Sequence, residues 1–349
     1  MAITKNGIKI AKRIRKNWPE VRIYVPRKYY ESSPDIQWFE QPTSQIIERL
    51  FKTNSALICI FSLGAVIRLI APFIGNKQFD PAVIVIDDKA NFIISALSGH
   101  IGGANSLTTE LSTFFEGSTA VITTAADVNQ TIAVDLLGKN RGWTIDGLNT
   151  VTNVSACMVN EMPIGLYQDS GERNWWPEKG LPRNVVPLSE LVELRSSKFA
   201  AGLIITDRIL VDDEVLSKSV VYRPKSLVVG VGIHRNTTKE TIESAVFQVF
   251  EDNRLSIKSI RNLATIENKS QCSGLINFSR TYQIPVEPFG DDQLSRMNVP
   301  NPSELVGRFE GTKSVSEAAA LMSSKGILVV PKLKFPPDLT LSIARVEFK

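Results

Sequence analysis

The run 56–61 (ALICIF) constrains this chain most, because a short, unbroken apolar run reads as a buried strand. Such a strand needs a sheet covered on its faces by other elements. The flanking segments supply them. An amphipathic stretch, 44–51, precedes the run. Ser62–Leu63–Gly64 then turns the chain into 65–71, which Pro72 interrupts. Upstream, 7–17 carries helical periodicity through Ile8, Ala11 and Ile14, and 21–25 is β-rich. Downstream, 81–86 and 92–95 are β-rich and join across 87–91 as a hairpin. A helix over 104–115 and a strand over 120–123 follow. The alternation predicts a largely parallel sheet covered by helices.

A second α/β pattern begins after residues 222–225 (YRPK), where proline and polar composition suggest a boundary. It comprises a strand over 227–230, the loop GIHRNT and a helix over 239–250. The run 256–263, helices over 274–282 and 315–323, and strands over 327–330 and 339–346 complete it. The region between holds a helix near 148–160 and strands over 164–167 and 202–205. Its polar stretch 169–183, with Trp175 and Trp176, reads as a surface excursion. The expected class is α/β, with three-layer sheets covered by helices. An N-terminal α/β domain over 1–135 and a separate C-terminal α/β domain over 226–349 are expected. The middle region, 136–222, is packed with or inserted next to the first.

Composition narrows the function. The 349 residues are 43% hydrophobic and 22% charged, enough for ordinary cores. No apolar run reaches the ~20 residues of a spanning helix. The basic N-terminus has interrupted apolar positions and reads as fold, not signal peptide. Three cysteines, Cys59, Cys157 and Cys272, lie far apart and suit a reducing compartment, so the cytoplasm is expected. With only His100 and His234 besides, no metal-ligand spacing occurs. The net charge of +4 lacks the clustered basic stripe of a nucleic-acid binder. A small acidic substrate fits it.

Three segments are candidates for chemistry. In Ser98–Asn105 (SGHIGGAN), a strand ends and a helix begins within one glycine-dense loop. Glycines there allow positive φ and close ligand approach. Helix N-terminal amides suit a carboxylate, phosphate or oxyanion. Ser98, Gly99, Gly102 and Gly103 shape the loop, and His100 and Asn105 add a titratable ring and an amide. The alternative is a tight turn with an idle histidine. Ser98 and His100 make no nucleophilic triad, since they lack a GxSxG elbow and an evident orienting acid. Two neighbouring loops, carrying Gly64 with Arg68 and Thr124 with Asp127, could share a crevice with SGHIGGAN at strand carboxyl ends. Asp127 reads equally as a helix cap, and Arg68 as a helix-surface charge. In the third segment, GVGIHRNT (230–237), the third glycine of GxGxxG would fall on Arg235, so the dinucleotide fingerprint fails. That failure counts against a nucleotide- or S-adenosylmethionine-dependent transferase. What remains is either a flexible turn or an anion cradle of Gly232, His234, Arg235 and Thr237. The cysteines read as inert.

GAVIRLIAP (64–72), DPAVIVIDD (80–88), SALSGHIGGAN (95–105) and ITTAADVN (122–129), in this order, resemble the cobalamin-biosynthesis protein G family. VVGVGIHRNTT (228–238), LATIENK (263–269), VPNPSE (299–304), SVSEAAAL (314–321) and VVPKLK (329–334) resemble its C-terminal domain. The resemblance spans nearly the whole chain and is weakest in the middle. It implies a cobalt-precorrin-5A hydrolase, which opens the δ-lactone of a ring-contracted cobalt tetrapyrrole. Acetaldehyde is released and cobalt-precorrin-5B is formed, so a carbon–carbon bond breaks after lactone opening. The alternative within the pathway is a non-catalytic corrinoid-binding or transfer protein. On the hydrolase reading, His100 is the base or proton shuttle, and the amides of Gly102 and Gly103 meet the oxyanion. His234, Arg235 and Thr237 would hold peripheral carboxylates. His100 reads equally as a group positioned for a polycarboxylate. The implied partners are the polycarboxylate tetrapyrrole and other corrin-pathway enzymes, with no nucleic acid and no membrane. No cofactor is expected, because the substrate carries the cobalt. Where the family's C-terminal loop has cysteine after GxG and glycine before threonine, this chain has Ile233 and Asn236, which excludes a cysteine role there.

Overall fold

A computed structural model of the chain describes every residue except 77–78, 101, 126–130, 177–179, 303–313 and 349. The chain divides into two units, 1–136 and 137–349.

In the first unit, helix α1 (Lys5–Asn17) starts where Thr4 Oγ1 accepts from the Gly7 amide at 2.9 Å. Strands β1 (Ile23–Pro26) and β2 (Ile36–Phe39) pair in parallel as a small sheet of their own. Then come α2 (Thr43–Thr53), β3 (Ala56–Cys59), α3 (Leu63–Ile70), β4 (Ala82–Ile86), β5 (Phe92–Leu97), α4 (Ala104–Ser112) and β6 (Thr119–Val121). The main sheet has the order β3-β4-β5-β6. Ala82, Ile84 and Ile86 of β4 pack into a core with residues of α1 and α4. Val83 and Val85, facing the other way, pack with residues of α2 and α3. Helices therefore cover both faces, giving the three layers the pattern predicts.

The expectation of a largely parallel sheet needs correction here. β3 and β4 run parallel, β4 and β5 antiparallel, and β5 and β6 parallel. The five residues 87–91 form the expected hairpin, and so short a link cannot cross over to a parallel strand. Asp87 fixes it: Oδ1 accepts from the Phe92 amide at 2.7 Å and Oδ2 from the Lys89 amide at 3.2 Å. As a result, β3 ends at one edge of the sheet, while β5 and β6 end at the opposite edge.

The second unit holds two five-stranded sheets. The first is built from β7 (Thr144–Asp146), α5 (Val151–Val159), β8 (Ile164–Gln168), β9 (Val185–Leu188), β10 (Ala201–Ile205), α6 (Asp213–Ser217) and β11 (Ser219–Arg223), in the order β7-β11-β10-β8-β9. The next comprises β12 (Leu227–Ile233), α7 (Lys239–Asp252), β13 (Ile260–Ile266), α8 (Ser273–Tyr282), β14 (Val286–Phe289), α9 (Asp291–Ser295), α10 (Val315–Ser324), β15 (Ile327–Phe335) and β16 (Leu339–Arg345). Its order is β14-β13-β12-β16-β15, with β12, β13 and β14 parallel. Residues of α7 and α8 pack with Leu227, Val229 and Val231 of β12 on one face, and residues of α10 with Val228 on the other.

Charge is built into the junction of the two sheets. Asp207 is fully buried and accepts from Arg345 Nε at 2.8 Å and Nη2 at 2.7 Å. Ser226 Oγ donates to the same carboxylate at 2.8 Å. Arg223, buried at the end of β11, donates to Asp146 Oδ2 at 3.0 and 2.8 Å, and Lys258 reaches Asp146 Oδ1 at 2.8 Å. Partial burial pushes the Asp146 carboxyl up, but the hydrogen bonds from Lys258 and Arg223 outweigh it and hold the group below the ordinary carboxylate range.

Two outcomes follow. A folded-state pKa below the unfolded one means that Asp146 stabilises the fold at neutral pH and loses this contribution as pH falls through the folded value. The stability deficit of Asp146→Asn, measured by urea unfolding, is therefore expected to be full at pH 7 and to shrink below about pH 4. At Gly230, an added Cβ would lie 1.8 Å from the Ser316 carbonyl oxygen. Gly230→Ala is expected to destabilise the second unit by at least the ~1–3 kcal/mol typical of overpacking, read from the same unfolding curves.

Candidate functional site

The first unit places SGHIGGAN between β5 and α4, as the sequence predicts, with Ile101 outside the described residues. Its glycines have different reasons. A Cβ at Gly99 would sit 2.6 Å from Asn105 Oδ1, and one at Gly102 would sit 2.4 Å from Ser98 Cβ. Gly103 is left-handed at φ 85°, and Ser98 takes the same conformation at φ 55°. The loop curls so tightly that it bonds itself. The amides of Gly103, Ala104 and Asn105 donate to the carbonyls of His100, Ser98 and Gly99 at 3.0, 3.1 and 2.9 Å. The expected anion cradle of open helix amides is thus filled by the loop's own carbonyls, and the Gly103 amide is occupied in this conformation.

Asn105 is buried and brackets three segments. Its Oδ1 accepts from Ser95 Oγ of β5 at 2.6 Å, and its Nδ2 donates to Thr124 Oγ1, beyond β6, at 2.9 Å. Asn105 and Thr124 are therefore scaffolding for the loop. Ser98 Oγ is buried with no hydrogen-bond partner among the described residues.

His100 lines a hollow of about 250 Å³ with Gly99, Gly103, Ser106, Thr109 and Ile122. Its Nδ1 lies 3.4 Å from Asp135 Oδ1, and both side chains are largely buried. The sequence reading finds no orienting acid, yet Asp135 is placed as one. A carboxylate on Nδ1 holds the proton there and leaves the basic lone pair on Nε2.

The remaining first-unit candidates divide by strand direction. Gly64 and Arg68 follow β3, so the antiparallel β5 puts them at the edge opposite SGHIGGAN, and the expected shared crevice does not include them. Both are exposed. Asp127 lies outside the described residues.

In the second unit, β12 continues through Ile233, so Gly230 and Gly232 belong to a strand and not to a turn. Gly230 is there because α10 lies against it. Thr237 is buried, and its hydroxyl donates to the Asp338 carbonyl at 3.1 Å and accepts from the His234 amide at 3.1 Å. It ties the loop to the β15–β16 hairpin and presents nothing to a ligand. His234 and Arg235 are exposed. Gly232 and His234 border a pocket of about 240 Å³, which also carries Lys269, Lys332 and Lys334. The sequence reading misses these three lysines.

Burial pushes the Cys59 thiol up to about 11, which fits its reading as inert. Among the described residues, no group of three His, Cys, Asp or Glu side chains is placed to hold a metal ion. Among them also, no helix is long and apolar enough to cross a membrane.

Three family models match most of the chain. Residues 45–127 match the cobalamin synthesis G N-terminal model, 132–224 the cobalamin biosynthesis central region, and 227–344 the cobalamin synthesis G C-terminus. The cobalt-precorrin-5A hydrolase of Priestia megaterium is 37% identical over 100% of this chain and 94% of its own length. That of Salmonella typhimurium is 29% identical over 95% of this chain and 93% of its own. Among solved structures, cobalamin biosynthesis protein chiG from Agrobacterium tumefaciens is 24% identical, covers 35% of this chain and 98% of its own, and has a TM-score of 0.28.

One outcome tests the scaffold. Asn105→Ala removes the partner of both Ser95 and Thr124 and is expected to cost about 1–3 kcal/mol of first-unit stability by urea unfolding.

Proposed function

The chain belongs to the cobalamin synthesis G family, and on that premise we propose that it is a cobalt-precorrin-5A hydrolase. Its catalytic centre on this reading is the SGHIGGAN loop. The observation that carries the assignment is the 3.4 Å contact between His100 and Asp135 at the hollow. A histidine whose Nδ1 faces a carboxylate is set up to take a proton at Nε2 and to be stabilised once charged.

The proposed chemistry runs in two stages. His100 Nε2 removes a proton from water, and the oxygen adds to the lactone carbonyl carbon. The amide of Gly102 is the remaining candidate donor for the oxyanion, since that of Gly103 is occupied. The ring C–O bond then breaks, leaving an alkoxide and a carboxylic acid, which releases its proton to solvent and becomes a carboxylate. In the second stage the alkoxide collapses to the carbonyl of acetaldehyde. The carbon–carbon bond to the macrocycle breaks, and its electron pair remains on the macrocycle, which then takes up a proton. His100, protonated by the first stage, is the proposed source of that proton.

The cobalt enters with the macrocycle as part of the substrate, and no resident cofactor is assigned. His234 and Arg235 are proposed to meet peripheral carboxylates, whereas Thr237, Gly64 and Arg68 are withdrawn from the site for the reasons above. Other enzymes of the corrin pathway are the proposed protein partners.

Incubation with cobalt-precorrin-5A is expected to release one acetaldehyde per macrocycle, detected by a coupled alcohol dehydrogenase assay. Folded protein that binds the substrate and releases none would be a carrier. His100→Ala is expected to lose at least about 10²-fold in kcat. Asp135→Asn is expected to lower kcat with KM little changed, and to move the acidic limb of the pH–rate profile, which reports the general base. Wild-type rates in both variants would make the pair structural.

A further inference from the structure

In the second unit, four of the five C-terminal segments that carry the family resemblance line one pocket, and the fifth is bonded to its surroundings. GVGIH supplies Gly232 and His234, and LATIENK supplies Lys269. SVSEAAAL supplies the first turn of α10, and VVPKLK supplies Lys332 and Lys334. From VPNPSE comes Asn301. It is tied to the first turn of α10 through Glu317, whose Oε2 accepts from the Asn301 amide at 3.1 Å and whose Oε1 accepts from Asn301 Nδ2 at 2.7 Å.

The pocket lies at the carboxyl ends of parallel strands β12 and β13, where ligands bind in α/β sheets. Its walls are apolar, with Ile266, Val315, Phe335 and Pro336 among them, and its charge is mainly cationic. Glu317 is fully buried, and the Lys332 amide also donates to its Oε1, at 3.0 Å. It is enclosed behind the lining residues and is not one of them. Asp338 is the other acid at the rim. Lys332 and Lys334 stand on the same strand. Burial holds the Lys332 ammonium below the usual lysine range, Glu317 pulls it back up, and Lys334 pushes it down. An incoming carboxylate would relieve that repulsion, and the N-terminal end of α10 adds to the attraction.

We propose that this pocket binds one edge of a planar, carboxylate-bearing macrocycle, with carboxylates on Lys332 and Lys334 and ring carbons against Phe335 and Ile266. The identity of the macrocycle as a tetrapyrrole rests on the hydrolase reading. The pocket itself rests on the lysines, the apolar wall and the enclosed Glu317.

The test uses the full chain and uroporphyrin III, a stable, metal-free tetrapyrrole with eight carboxylates, followed by porphyrin fluorescence. Saturable binding is expected to weaken about tenfold in Lys334→Glu, a change of about 1.4 kcal/mol. Lys334→Gln is expected to show a smaller loss. Lys198→Glu, a charge reversal in the turn before β10, is expected to bind as wild type, with all variants melting alike. Wild-type protein that fails to bind, or Lys334→Glu that binds as tightly as wild type, overturns the pocket. Competition by inorganic phosphate at equal concentration would also overturn it, reducing it to a small-anion site. Acetaldehyde release separates this proposal from the hydrolase reading. Release with porphyrin binding indifferent to Lys334 leaves the hydrolase and removes the pocket. Binding that depends on Lys334 without any release leaves the pocket and removes the hydrolase.

Discussion

The second unit's pocket depends on how closely α10 lies on β12. No side chain fits between them at residue 230, where a Cβ would meet the Ser316 carbonyl oxygen at 1.8 Å. This approach brings the first turn of the helix down to the strand ends and buries Glu317 completely. A buried carboxylate must find donors or a counter-charge. Glu317 finds the backbone and side-chain amides of Asn301 and the backbone amide of Lys332, and so draws two distant segments together behind the pocket lining. The Lys332 ammonium then bonds the Asn301 carbonyl, which closes the set. The glycine that first suggests a phosphate loop is thus a packing glycine, and the ligand chemistry lies in the side chains its packing assembles.

In the first unit the corresponding constraint is strand direction. The hairpin at 87–91 turns β5 back along β4, and this alone decides which loops share an edge. It puts Thr124 beside SGHIGGAN and sends Gly64 and Arg68 to the other side. Within the loop, the amides of Gly103, Ala104 and Asn105 are taken by loop carbonyls, so the proposed chemistry falls to side chains and the Gly102 amide. His100 is the proposed centre because its Nδ1 faces Asp135 Oδ1 at 3.4 Å.

Much of this architecture was legible from periodicity, and the misses have identifiable causes. The buried strands 56–61 and 81–86 read correctly because both faces are covered and the apolar runs are unbroken. Strand β11 was obscured by Arg223 at its end, whose charge is answered by Asp146 from a strand 77 residues away. Asp135 was invisible for a similar reason. It sits 35 residues beyond His100, and only the fold makes them neighbours. Lys269 lies more than 60 residues from the Lys332–Lys334 pair, so no local pattern of charge marks the three as one cluster. Thr237 was misassigned because a hydroxyl in a glycine loop looks the same whether it faces a ligand or a neighbouring carbonyl.

The two assignments bear on different parts of catalysis. Cations that hold a substrate's carboxylates far from its lactone interact alike with ground state and transition state. Such uniform binding lowers KM without raising kcat. Lactone opening adds a carboxylate to the macrocycle, so cations that reached the new group would favour product over substrate. Release of a two-carbon neutral fragment leaves this extra charge behind. A histidine–carboxylate pair acts differently, since its charge separates only as water is deprotonated. The division assigns tight recognition to lysines that the reaction does not titrate, and the rate to the residue whose protonation state changes during turnover.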